Sequence, residues 1–231
     1  PTSLIYNVSW RCNAKCVMCN NWLRPYDNDL TLDEFREGIK SRLFKNIGNI
    51  GVSGGEPYLR KDLPDLVEAC GERMPRLTKL TINTNGFATK RILALSEPIA
   101  EYCNAKNILL GIRISLDGLE GLHEKIRGVP KGFQKCMDTF EGMMELKKKH
   151  FFNFGLAYTI SPINVRYAEQ MYEWCKEREI NVIFNVPRTS AAFLDNEHLG
   201  TNNLLNEEDT QWVSNFFKRL VREGSVFNGD V

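Results

Sequence analysis

A chain of 231 residues, 42% hydrophobic and 26% charged, is long enough to enclose one sizeable core and too ordinary in composition for a disordered or fibrous protein. Its 30 Lys and Arg against 29 Asp and Glu create no overall field that would draw it to nucleic acid or an anionic membrane. No apolar run approaches the ~20 residues that cross a bilayer and no charged-then-apolar leader opens the chain, so a soluble, cytoplasmic protein is expected. The chain begins at Pro1 and not at Met, which leaves a native segment ahead of it open.

Six short apolar runs follow one another along the chain: Leu4–Ser9, Ile47–Ser53, Lys79–Thr84, Ile108–Leu116, Phe152–Ile160 and Asn181–Val186. Their continuous apolar character predicts strands covered on both faces, as in a parallel sheet. The intervals hold helical stripes. Thr31 and Glu34 form a capping pair ahead of Phe35, Ile39 and Leu43. Leu63, Leu66, Val67 and Cys70 follow in the second interval, and Thr89 to Cys103 in the third, where Ser96 is expected to cap a restarted helix at Pro98. Phe133, Met137, Phe140 and Met144 mark the fourth stripe, and Val165, Ala168, Tyr172 and Cys175 the fifth. A polar loop around Asn196–Asn206 leads to Trp212, Phe216 and Leu220 on a last helix closed by Gly224. Six βα units without an obvious linker predict one α/β domain over residues 1–231, a parallel sheet wound into an open or closed barrel, with a doubly wound open sheet as the alternative. In either architecture the functional loops sit at the C-terminal ends of the strands.

Seven cysteines, odd in number and unevenly placed, do not form the framework of a small secreted domain. Cys70, Cys103, Cys136 and Cys175 each lie among apolar residues and are expected to be buried core thiols. Cys12, Cys16 and Cys19 instead cluster directly after the first strand, where three thiolates suit an iron–sulfur cluster or zinc. A structural zinc site wants a fourth ligand, and His123 and His150 are distant in sequence. Three ligands around a four-iron cube leave one iron free to be chelated by an amine and a carboxylate on one α-carbon. Later strand ends carry Gly54-Gly55-Glu56-Pro57, Asn83-Thr84-Asn85-Gly86, Ser115-Leu116-Asp117-Gly118 and Thr159-Ile160-Ser161-Pro162, with His123 and Arg127-Gly128 between the last two. Turn chemistry alone also selects Gly, Asn and Asp at such positions.

The three-cysteine spacing, its place after strand one and the strand-end motifs together resemble the radical S-adenosylmethionine (SAM) superfamily, over nearly the whole chain. That resemblance implies a partial (β/α)6 TIM-like barrel with parallel strands and a [4Fe-4S] cluster on Cys12, Cys16 and Cys19. It implies SAM contacts from Met18, Gly54, Gly55, Glu56, Asn85 and Ser115, from Arg127 to the SAM carboxylate, and from Ile160 to adenine. Met18 stands where the family usually has an aromatic residue. Asn185 and Arg188, at the rim of strand six, are candidates for substrate contact. The implied activity is reductive cleavage of SAM to a 5′-deoxyadenosyl radical that abstracts hydrogen from a substrate, with an electron donor such as flavodoxin or ferredoxin as partner. The Ser-Leu-Asp-Gly to Arg-Gly segment is similar to the SPASM/twitch-type branch with peptide-modifying members and favours a peptide or protein substrate. The alternatives are a small-molecule dehydrogenase or epimerase, for instance of a carbohydrate, a noncatalytic zinc-binding domain, and a nucleotide-binding barrel without radical chemistry. Many relatives add a cysteine-rich C-terminal region with auxiliary clusters; the chain runs to Val231 without one, so that region is expected to lie in a longer protein or never to have existed.

Overall fold

A computed structural model of the chain describes residues 1–186, 196 and 205–224. Six strands, β1 (Ser3–Asn7), β2 (Asn49–Ser53), β3 (Lys79–Thr84), β4 (Leu109–Ser115), β5 (Asn153–Thr159) and β6 (Val182–Asn185), pair in parallel in chain order. β2 to β6 fall within the runs expected from the sequence, and β1 starts one residue before its run, at Ser3. Because β1 and β6 do not pair with each other, the sheet is an open α/β barrel segment, the expected partial (β/α)6 architecture. Helices α1 (Leu32–Gly38), α2 (Leu63–Arg73), α3 (Thr89–Ala105), α4 (Glu120–Arg127), α5 (Gly132–Lys147), α6 (Ala168–Lys176) and α7 (Glu207–Arg222) fill the connections and follow the last strand.

The expected covering on both faces holds for β5, buried from Phe154 to Tyr158, but not for β2, β3 and β4. Burial alternates along β2, β3 and β4. Ile50, Val52, Leu80, Ile82, Leu110, Ile112 and Ile114 face the helices in one core with Leu66, Cys70, Ile99, Cys103 and Met143. Register places Gly51 beside Thr81, Thr81 beside Gly111, and Asn83 beside Arg113. These inner residues, with Ser53 and Ser115, are half-exposed. Along β2–β4 the sheet therefore has an apolar convex face and a small, polar concave face, which is the period of two expected for strands buried on one side. A cavity of about 330 Å³ runs along β3–β6, lined by Lys79, Thr81, Gly111, Arg113, Asn153 and Asn181 among others; none of the three clustered cysteines borders it.

Local signals set most helix ends. The Thr31 hydroxyl accepts from Glu34 N–H while the Glu34 carboxylate accepts from Thr31 N–H, closing the expected capping box. Asn206 caps α7, and Gly224 follows its end at φ +66°. Other ends differ from expectation. Leu43 lies beyond α1 and is exposed. Pro98 sits inside an unbroken α3, where buried Ile92, Ile99, Ala100 and Cys103 hold the helix across the missing N–H; Ser96 is no cap but a buried donor to the Tyr58 hydroxyl at 2.9 Å. The buried stripe of α5 is Cys136, Thr139, Met143 and Leu146, one position off the expected Met and aromatic stripe, and Met144 is exposed. Cys70, Cys103, Cys136 and Cys175 are buried, as expected.

Candidate functional site

The loop after β1 is held against two neighbours at the C-terminal ends of the strands. On one side, Gly55 N–H donates to Ser9 carbonyl at 2.7 Å and Glu56 N–H to Arg11 carbonyl at 2.8 Å. A Cβ on Gly54 would stand 2.3 Å from Ser9 O, and one on Gly55 would stand 2.3 Å from Arg11 O. The glycine pair is thus needed for two loops to touch. On the other side, Lys15 N–H donates to Arg127 carbonyl and Val17 N–H to Ile126 carbonyl, each at 2.9 Å. Gly128 ends α4 at φ +64°, and a Cβ there would meet Lys15 O at 2.6 Å. Asn196 closes over the loop, its amide donating to Met18 carbonyl at 3.0 Å.

Cys12, Cys16 and Cys19 are half-buried in this loop. Burial pushes the Cys12 thiol up to about 12 and raises Cys16 and Cys19; the neighbouring cysteines add to the rise at Cys12 and Cys19, while Arg127 opposes it at Cys16. Thiols held neutral in this way release protons when a metal centre binds. N–H donors already point at two of the sulfurs: Ala14 N–H lies 3.4 Å from Cys12 Sγ and Arg127 Nη1 3.6 Å from Cys16 Sγ. Among the described residues, the one trio of potential ligand side chains gathered within 4.8 Å is Glu97, Glu101 and His150, so the cysteine sulfurs stand further apart than a single ion draws its ligands. His123 is no fourth ligand, because Nδ1 accepts from Asp117 N–H at 3.1 Å and Nε2 faces Cys136 Sγ at 3.6 Å. The donor set and its N–H partners fit a thiolate-held iron–sulfur cluster.

Beneath the loop, Glu56 is wholly buried. Its carboxylate accepts from Thr84 hydroxyl at 2.8 Å, Asn85 N–H at 2.7 Å and Tyr58 N–H at 3.2 Å. Burial raises it to about 7 against these hydrogen bonds. Contrary to expectation, Glu56 does not present its carboxylate to the barrel mouth: it ties the ends of β2 and β3 together. The Asn85 amide donates to Asn13 Oδ1 at 2.7 Å and lies 3.9 Å from Cys12 Sγ, so Asn85 does reach the cysteine loop.

The ends of β4 and β5 form a second buried network. Asp117 Oδ1 accepts from Thr159 N–H at 2.8 Å, and Oδ2 lies 2.6 Å from Arg127 Nη2. The Asn164 amide donates to the carbonyls of Asp117 and Thr159, at 2.9 and 3.0 Å. Burial pushes Asp117 up and Arg127 opposes it; for Arg127, burial is outweighed by Asp117 and Cys16, which hold it above its ordinary value. Arg127 therefore joins the site, but with its guanidinium already occupied by Asp117 and Cys16.

Ser115 is half-exposed at the end of β4, on the concave face. Met18 is buried beneath the loop. Ile160 is completely buried in the helix-facing core, so it offers adenine no free surface, contrary to expectation; side chains alternate across a strand and Ile160 falls on the convex side. Asn185 is exposed at the end of β6, while Arg188 lies outside the described residues. Asn13, Thr84, Asn164 and Asn196 are site-building residues that spacing does not single out. Asx-type positions next to the cysteines and strand ends are the signal that could have found Asn13 and Asn164, while Thr84 lies inside the strand-three motif.

The family model of the radical SAM superfamily matches residues 6–175, from β1 through α6. The chain belongs to the radical SAM superfamily. Among its relatives, the radical SAM domain is 30% identical over 181 residues to Fe-coproporphyrin III synthase of Methanosarcina barkeri, covering 77% of this chain and 41% of that protein. The chain thus spans less than half the length of that relative. Among solved structures, native anSMEcpe with bound AdoMet and a peptide superposes with a TM-score of 0.66 at 20% identity, covering 96% of this chain and 61% of that one. SuiB of Streptococcus suis bound to the precursor peptide SuiA gives a TM-score of 0.62 at 16% identity, covering 95% and 46%. At such identities the likeness establishes the fold.

Proposed function

We propose that the radical SAM domain holds a [4Fe-4S] cluster on Cys12, Cys16 and Cys19 and binds SAM beside it, and that the protein is a radical SAM enzyme. The observation that carries this reading is the loop of three half-buried thiols, with N–H donors aimed at Cys12 and Cys16 and no fourth ligand brought by His123. When bound, the reduced cluster supplies the electron that breaks a carbon–sulfur bond of SAM, giving the 5′-deoxyadenosyl radical that takes hydrogen from a substrate. The chain's own residues do the rest. Gly54, Gly55, Asn85, Ser115 and the backbone at Met18 form the wall against which SAM is held. Asn196 and α4 hold the loop in place. The concave face, small and polar from Gly51 to Ser115, receives the substrate.

For the substrate, a peptide or protein is supported by the likeness in fold to anSMEcpe and SuiB, both solved with peptides. A small-molecule substrate is the second reading, favoured by the higher identity to Fe-coproporphyrin III synthase. An acidic electron carrier, flavodoxin or ferredoxin, is the proposed partner. Anaerobic reconstitution should give about four irons and four sulfides per chain, the stoichiometry of the cluster type. Dithionite with SAM should then yield 5′-deoxyadenosine, and Cys16→Ala should abolish it. Zinc in place of iron, or undiminished turnover by Cys16→Ala, would refute the proposal. Deuterium transfer into 5′-deoxyadenosine from labelled peptides or labelled tetrapyrroles separates the two substrate readings.

A further inference from the structure

Arg127 carries the group best suited to gripping a ligand carboxylate, yet it is gripped from within the protein. Its Nη2 lies 2.6 Å from Asp117 Oδ2 and its Nη1 3.6 Å from Cys16 Sγ, while Nε is buried without a hydrogen-bond partner. The Asp117 side chain is 0% exposed and that of Arg127 12%. Asp117 is itself immobilised on three sides: Oδ1 by Thr159 N–H, its carbonyl by the Asn164 amide, and its N–H by His123 Nδ1. The backbone of Arg127 is fixed as well, its carbonyl taking Lys15 N–H one residue before Cys16 and Gly128 turning against Lys15. A rigid chain of contacts therefore runs from the end of β5 through Asp117 and Arg127 to one cysteine of the loop. Asp117 and Cys16 each take one N–H of a different Nη group, so both ends of the guanidinium are oriented by the protein itself.

We infer that Arg127 is a positioning residue for Cys16, held there by Asp117, and that the pair sets the reduction potential of the cluster; it does not read the SAM carboxylate. The inference rests on the cluster-binding function proposed above. A cation donating N–H to a ligand thiolate withdraws charge from the cluster and favours its reduced form, and the buried carboxylate behind it moderates that pull. Each partner therefore acts on the potential with opposite sign.

The test is a spectroelectrochemical titration of the reconstituted holoprotein without SAM, alongside SAM affinity by equilibrium dialysis. Arg127→Met should lower the potential by about 59 mV, a tenfold change in the one-electron reduction constant, and leave SAM affinity within about twofold. Asp117→Asn, which keeps an acceptor for Thr159 N–H while uncovering the guanidinium charge, should raise it. Loss of Arg127 strands a buried carboxylate, so the double variant Asp117→Asn/Arg127→Met, which leaves no lone buried charge, guards against misfolding and should still lie below wild type. Unchanged potentials, or a tenfold loss of SAM affinity on removing Arg127 at constant potential, would overturn the inference and leave the functional proposal standing. A wild-type protein that assembles no cluster would instead refute the functional proposal itself, and the inference with it.

Discussion

His123 and Glu56 are buried titratable residues that build the site without facing it. His123 must remain neutral for Nδ1 to accept from Asp117 N–H, and burial, with Arg127 nearby, lowers its pKa to about 3. A histidine depressed in the folded state contributes stability that is intact above its ordinary value of about 6.5 and lost as pH falls toward about 3. Glu56 acts with the opposite sign: raised to about 7, it contributes stability that is present below the ordinary carboxylate range and lost as pH rises through neutrality. The two overlap in mildly acidic solution, so the informative quantity is a difference between proteins. The stability advantage of wild type over His123→Gln, measured by urea unfolding, should shrink by about 1.4 kcal/mol per unit as pH drops below 6.5. A pH-independent difference would mean that His123 is charged in the folded protein.

At the scale of elements, the site is made where connections touch. The loop after β1 rests on the glycine turn after β2 and on the end of α4, and both contacts are backbone to backbone. Gly55→Ala places a methyl group 2.3 Å from Arg11 O, with no flexible side chain to yield. That variant is expected to lose about 1–3 kcal/mol and to retain less iron after reconstitution, read by thermal unfolding and iron analysis. Sequence motifs marked this glycine pair for close approach to a ligand; the neighbouring loop makes the approach seen in the structure. The same limit explains α4 and α5. The segment from Leu119 to Gly128 contains polar and charged residues whose helix buries only His123 and Ile126, too short a stripe to stand out. On α5 the large residues Phe133, Met137, Phe140 and Met144 carry the periodic signal, yet the buried stripe includes Cys136 and Thr139, whose small side chains let the helix approach the turn at Asn85 and Gly86.

At the scale of the whole molecule, the sheet separates stability from function. Its convex face is the core, and its concave face along β2–β4 is polar and half-exposed. Ile112→Ala should cost about 2–5 kcal/mol, whereas Thr81→Ala on the inner face should change stability by no more than about 0.5 kcal/mol. Denaturant titrations of both variants check this; equal losses would mean that the inner face is packed as a second core.

The sequence by itself determined the six strands, the capping box at Thr31, the buried scattered cysteines and the position of Cys12, Cys16 and Cys19, because each depends on residues close together in the chain: a run of β-formers, a cap four residues long, a spacing of thiols. It determined the family for the same reason. Which side of the sheet each strand residue faces was also written in the alternation of Lys79–Thr84 and Leu109–Ser115, though not in the hydrophobic totals of those runs. Only the tertiary structure decided what Glu56, Ile160 and Arg127 do. Glu56 finds its donors about thirty residues away, Ile160 turns toward the helices, and Arg127 meets Asp117 ten residues before it and Cys16 more than a hundred residues before it. A charged side chain taken out of water goes to whatever counter-charge the fold brings near, and that partner is set by packing across loops.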